Sequence, residues 1–147
     1  QQEEWMPTHS GSARYEGFGK DGKGFVSSQS GALADNPYGF ATRFEDQPGT
    51  NPEELIAAAH ASCFTMALSF ALARAGYNRG TLDTVAKVTL DKDGDGFAIT
   101  RSALELRAFV PGISSEDFAR IANEAKAGCP VSKLMKAEIT LSHSLTE

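Results

Sequence analysis

The side chains best suited to covalent chemistry in this sequence are its two cysteines, Cys63 and Cys129, which stand 66 residues apart in a chain of 147. A thiolate is a strong nucleophile, and its availability is set by what surrounds it. Cys129 follows Gly128 and precedes Pro130, so it caps a short helix, where unpaired backbone N–H groups and the helix dipole favour the anion. Local electrostatics therefore nominates Cys129 as the more acidic thiol. Cys63 lies in an alanine-rich apolar stretch, where a free cysteine commonly serves as a small apolar packing residue. His60 precedes it by three residues, on the same side of a helix, and invites a Cys–His nucleophile or a metal site. Zinc needs three or four ligands, and only Cys129, His143 or His9 are available to complete such a set from scattered positions. His60 accordingly reads as a hydrogen-bonded interior or interface residue, and no metal is expected. The run Asp91–Gly96 (DKDGDG) matches the first half of a calcium-binding loop. The glutamate required at the loop's twelfth position is Ser102, however, and strand-like sequence flanks the run, which makes it a solvated hairpin tip.

The elements that must position these groups follow from periodicity and punctuation. Seven glycines between Gly11 and Gly39 separate short patches, among them Ala13–Glu16 and Gly24–Ser28, and this region up to Phe44 reads as antiparallel strands and turns. After the QPGTN turn, Asn51 caps a helix with Pro52 at its first position and Glu53 and Glu54 in its first turn. That helix runs to about Arg74 or Ala75 and stops at Gly76. Thr84–Leu90 and Phe97–Val110 alternate with period two around the Asp/Gly tip and form a hairpin. Ser114 or Ser115 caps a helix carrying Phe118, Ile121, Ala122 and Ala125 on one face, which Gly128 ends. Pro130 opens a short helix, and Glu138–Leu145 closes the chain as a strand. Strands, one long helix, strands, short helices and a strand make an α+β fold.

Composition removes several classes of function. With 14 basic and 19 acidic residues the net charge is −5, and no Lys/Arg run supplies the basic patch that nucleic acid or an anionic membrane requires. Leu55–Ala73 is 19 residues without a formal charge, close to bilayer-spanning length. Seven of those residues are alanine, while His60, Ser62, Thr65 and Ser69 add polar cost. A helix apolar on nearly all faces is then the buried central helix of a soluble protein. Two cysteines are too few for a secreted disulfide framework, so a reducing cytoplasm is expected. Residues 1–10 read as a flexible terminus and 11–147 as a single domain.

The stretch from Thr42 through NPEELIAAAHASCF, and AGCPVSKLMKAEITLS from Ala127 to Ser142, resemble the osmotically inducible protein C and organic hydroperoxide resistance (OsmC/Ohr) family. The similarity runs through most of Arg14–Leu145, and the TRFE segment resembles the OsmC branch. The resemblance implies antiparallel sheets packed around a long buried central helix in an intertwined homodimer. It also implies a thiol peroxidase that reduces organic hydroperoxides without haem, flavin or metal. By the same resemblance, Cys63 is the peroxidatic cysteine and Cys129 resolves its sulfenic acid as a disulfide. Arg43 and Glu53 complete the site, with Arg14 as a reserve arginine, and a dithiol of lipoyl type reopens the disulfide.

The physics of such a site is independent of the label. A permanent guanidinium offsets desolvation of a buried thiolate and stabilises the departing alkoxide, while a carboxylate fixes the guanidinium's orientation. Glu53 and Cys63 are ten residues apart on one helix, hence about 15 Å along its axis. Antiparallel packing of two such helices across a two-fold axis brings Glu53 to the partner's site. Two other classes of function remain open at the level of sequence. One is a cysteine-dependent acyl or thiol transferase using Cys63 with His60 as base; the other is a non-catalytic redox-sensing dimer.

Overall fold

The structure, a computed structural model, describes residues 6–146. These group into a first compact unit ending at Pro52 and a second beginning at Glu53. Of the flexible start expected over residues 1–10, residues 1–5 lie outside the described residues. Ser10 is tied down: its N–H donates to Gln29 Oε1 at 2.9 Å, and its carbonyl accepts from the Gln29 N–H at 2.9 Å.

In the first unit, β1 (Gly11–Glu16), β2 (Lys23–Ser28) and β3 (Asn36–Tyr38) form an antiparallel sheet in that order. Gly24 is required there, because a Cβ would lie 2.6 Å from the Tyr38 carbonyl oxygen and 2.7 Å from the Tyr38 ring. The expectation of strands and turns up to Phe44 fails at its end, where Phe40–Phe44 is a helix, α1. Five residues are too few to show helical periodicity. The turn is held by Thr42, whose Oγ1 accepts from the Gly39 N–H at 2.8 Å and donates to the Gly39 carbonyl at 3.1 Å.

The second unit is dominated by α2 (Pro52–Arg74), which begins and ends where punctuation placed it. Gly76 has φ +100°, the Gly76 N–H bonds to the Ala73 carbonyl at 3.0 Å and the Tyr77 N–H to the Leu72 carbonyl at 2.9 Å. This is a Schellman stop, and Tyr77 packs on the core beyond it. The strands β4 (Thr81–Asp93) and β5 (Gly96–Phe109) form the expected hairpin around the Asp/Gly tip. Thr100 is the extra residue of a bulge, since Thr89 pairs Arg101 while Leu90 pairs Ile99. Helices α3 (Ser115–Gly128) and α4 (Pro130–Leu134) follow, and the Ser114 hydroxyl caps α3 by accepting from the Asp117 N–H at 3.1 Å.

The last strand, β6 (Glu138–Thr146), corrects the expectation of purely antiparallel sheets: it runs parallel to β5, so this sheet is mixed, in the order β4-β5-β6. A parallel neighbour needs a crossover, and α3 with α4 provides it. The core lies between that sheet, α3 and one stripe of α2. From β5 it takes Leu104, Leu106 and Ala108, from α3 Phe118, Ile121, Ala122 and Ala125, and from α2 Phe64, Leu68 and Leu72.

The long helix buries less than its composition suggests. Its buried residues are His60, Phe64, Leu68 and Leu72, spaced four apart on a single stripe. Met66 and Phe70 on another face stay 64% and 60% exposed. Length and composition alone would let this helix cross a membrane. Of its polar side chains, Thr65 bonds to the sheet, its Oγ1 2.7 Å from Thr84 Oγ1, while the Ser62 hydroxyl donates to the Ala59 carbonyl of the helix itself at 3.0 Å.

Candidate active site

Both cysteines are free thiols of the second unit. Cys63 sits on α2 one residue before the buried Phe64 and is half-buried against the core. Cys129 is completely buried, because it ends α3 on the core side and turns the chain into α4. As the helix start foretold, its Sγ caps α4 by accepting from the Ser132 N–H at 3.4 Å. The ionisation of each thiol is felt by the other, so α2 and the α3–α4 corner bring the two cysteines near each other.

Their acidities diverge. Burial pushes the Cys63 thiol up, and the hydrogen bond and charge interaction with Cys129 push it further, against the Val131 N–H that favours its anion. Burial also works against the Cys129 anion. There it is outweighed by hydrogen bonds from the Ser132 hydroxyl, the Ser132 N–H, Cys63 and the Val131 N–H, and the Cys129 thiol ends below its ordinary value. The ranking drawn from the helix start therefore holds within this unit. The more accessible sulfur, however, is that of Cys63.

His60 is fully buried, with Nδ1 2.6 Å from Ser102 Oγ and Nε2 2.8 Å from Ser132 Oγ. Burial lowers its pKa, which leaves the ring neutral at neutral pH. It is thus the hydrogen-bonded interior histidine that was expected. Both ring nitrogens are committed to serines, and neither forms the Cys63–His60 pair that a transferase would use. The two serines were missed from sequence. Ser102 occupies an inward position of β5 in line with Leu104, Leu106 and Ala108, and Ser132 stands at the third position of α4. The only signal for either is a polar residue at a position whose neighbours are buried. Among the described residues, no cluster of three or more His, Cys, Asp or Glu is arranged to hold a metal ion.

Arg43 belongs to the first unit. It is exposed at the end of α1, with its guanidinium carbon 5.6 Å from the Phe44 ring centre, and it lines a cleft of about 380 Å³ with Tyr15, Lys20, Tyr38 and Phe40. Arg14, the reserve arginine, is on β1 and exposed, and its Nε donates to Glu16 Oε2 at 2.8 Å. Glu53 is half-buried in the first turn of α2. Because α2 is unbroken from Pro52 to Arg74, the axial separation of Glu53 and Cys63 is about 15 Å.

A family model for OsmC-like proteins matches residues 44–144. Peroxiredoxin OsmC of Escherichia coli (strain K12) is 57% identical over 135 residues, which cover 92% of this chain and 94% of that protein. An organic hydroperoxide resistance protein of Xanthomonas axonopodis pv. citri is 31% identical over 98 residues, covering 66% of this chain and 67% of that one. Among solved structures, the organic hydroperoxide resistance protein OhrB of Bacillus subtilis matches with a TM-score of 0.67 at 28% identity, over 95% of this chain and 98% of that chain. With a family model spanning most of its length, the α+β fold of solved relatives and much higher identity to OsmC than to the resistance proteins, this chain belongs to the OsmC-like family, on its OsmC branch.

Proposed function

We propose that the protein is a cysteine-based peroxidase that reduces organic hydroperoxides, with Cys63 peroxidatic and Cys129 resolving. The observation that carries this reading is a half-buried thiol whose ionisation is linked to that of a completely buried, more acidic one. A hydroperoxide needs an accessible sulfur, and Cys63 is that sulfur. The Cys63 thiolate attacks one oxygen of the peroxide, the O–O bond breaks, and the departing alkoxide takes a proton to leave as the alcohol. Cys63 becomes a sulfenic acid, and Cys129 displaces water to form a disulfide. A low pKa suits this second role, because condensation needs the Cys129 thiolate. A dithiol reductant, of lipoyl type and drawn from a reducing cytoplasm, then reopens the bond.

The upward push on Cys63 has to be offset by a cation, and Arg43, oriented by Glu53, is the residue proposed to supply it. The helix geometry supports a homodimer in which Glu53 of each chain serves the partner's Cys63. The exposed apolar side chain of Met66, three residues after Cys63 on α2, favours organic substituents.

The test uses two single variants, one equivalent of cumene hydroperoxide, dimedone labelling and intact mass. Cys129→Ser consumes the peroxide and stops as a labelled sulfenic acid on Cys63, and Cys63→Ser stays inert. A label on Cys129 in Cys63→Ser protein, with inert Cys129→Ser protein, reverses the roles and overturns the mechanism. Continuous turnover with added dithiol separates the enzyme from a redox sensor that reacts once.

A further inference from the structure

We infer that His60 is a positioning residue for disulfide closure, pinning the first turn of α4 to the turn of α2 that carries Cys63. The inference rests on the peroxidase reading and concerns its second step. Its geometry is a pair of matched turns. On α2, His60 and Cys63 are three residues apart and so are neighbours along one side of the helix. At the start of α4, Cys129 and Ser132 have the same spacing and are joined directly, the Ser132 N–H donating to Cys129 Sγ at 3.4 Å. One bond crosses between the two turns, with His60 Nε2 2.8 Å from Ser132 Oγ. Ser132 thus holds the imidazole with its hydroxyl and the Cys129 sulfur with its backbone.

That crossing bond is what fixes α4. Ser132 is the one buried side chain of this five-residue helix; Pro130, Lys133 and Leu134 are exposed, Leu134 by 81%, and Val131 is half-buried. A helix whose buried side chain is a hydroxyl is placed by a directional bond, and losing the partner leaves that hydroxyl buried and unpaired. The imidazole is itself fixed, because Nδ1 lies 2.6 Å from Ser102 Oγ on β5. His60 and Ser102 have no exposure, so bulk water does not compete for either bond. Cys129 belongs to the buried core, and Cys63 and Val131 pack against that same cluster.

Closure is sensitive to such placement, since a disulfide forms only when the two Cα atoms come within about 4.4–6.8 Å and the sulfurs meet at about 2.05 Å. In the step itself the Cys129 thiolate attacks the sulfenic sulfur of Cys63, the S–S bond forms and the S–O bond breaks. Cys129 supplies the electron pair that reduces the sulfenic sulfur, and the departing hydroxide takes up the proton that Cys129 released, leaving as water. His60 gives and takes no proton in this account. It keeps the two turns in register while the sulfurs react.

The test compares wild type with His60→Gln, His60→Asn, Ser132→Ala and, as a destabilised control away from the pin, Leu68→Ala. The amide of Gln reaches the place of Nε2 and that of Asn the place of Nδ1, so Gln keeps a partner for Ser132 and Asn keeps one only for Ser102. The readout is the lifetime of Cys63 sulfenic acid after one equivalent of cumene hydroperoxide, followed by dimedone trapping and intact mass. Closure slows about tenfold in His60→Asn and Ser132→Ala. It stays within about threefold of wild type in His60→Gln and Leu68→Ala. Equal closure rates in the Gln and Asn variants, wild-type closure in Ser132→Ala, or a Leu68→Ala deficit as large as that of Ser132→Ala overturns the pin. If neither His60 variant folds, Ser132→Ala against Leu68→Ala decides by the same criteria. If the wild type forms no sulfenic acid at Cys63, the peroxidase reading is what fails. The pin is then read from disulfide formation in glutathione redox buffers, where the effective concentration of the Cys63–Cys129 pair falls about tenfold in His60→Asn and Ser132→Ala if the pin holds and is unchanged if it does not.

Discussion

The shared site makes a quantitative claim that a subunit-mixing experiment can test. Glu53 and Cys63 are separated by ten residues of unbroken helix, about 15 Å of axial rise, too far for one carboxylate to steer a guanidinium held against that sulfur in the same chain. If each Cys63 instead takes Glu53 from the partner subunit, two inactive proteins complement each other. In a heterodimer of Cys63→Ser and Glu53→Ala chains, one site joins an intact Cys63 to an intact Glu53, and the other has lost both. Random exchange at equal concentrations makes about half of the dimers heterodimers, so about a quarter of wild-type peroxidase activity returns. A site built within one chain predicts essentially none, since every intact Cys63 then belongs to a chain carrying the Glu53→Ala substitution. The assay is cumene hydroperoxide consumption with excess dithiol, after exchange verified by native mass spectrometry. Verified heterodimers with no recovered activity refute the trans arrangement.

Two further outcomes test the proposed site and the core. Arg43→Lys keeps the charge but loses the rigid fork, and it lowers the rate of Cys63 oxidation by about a hundredfold while raising the Cys63 pKa, read by stopped-flow peroxide consumption and by alkylation against pH; if Arg14→Lys has this effect and Arg43→Lys does not, the reserve assignment is correct. Leu68→Ala, one turn beyond Phe64 on the buried stripe of α2, costs about 2–5 kcal/mol of stability in denaturant titration, and a loss below about 1 kcal/mol would mean that this stripe is not the core contact described.

What was legible in the sequence is what local chemistry decides. Asn51-Pro52 and Gly76 bound α2, Ser114 caps α3 and Cys129 caps α4, because each is a requirement met within a few residues. The direction of β6 was not legible, since a period-two pattern announces a strand without saying which way its neighbour runs. Nor was α1, too short for any period. The serines of the candidate site failed to announce themselves for a different reason. Ser102 and Ser132 acquire meaning only when β5 and α4 close over His60, from 42 residues before the one to 72 before the other. An isolated serine in a strand is commonplace, whereas a serine at zero exposure must find a partner. His60 meets that need twice over, and in doing so it gives up the free nitrogen that a Cys63–His60 pair would require.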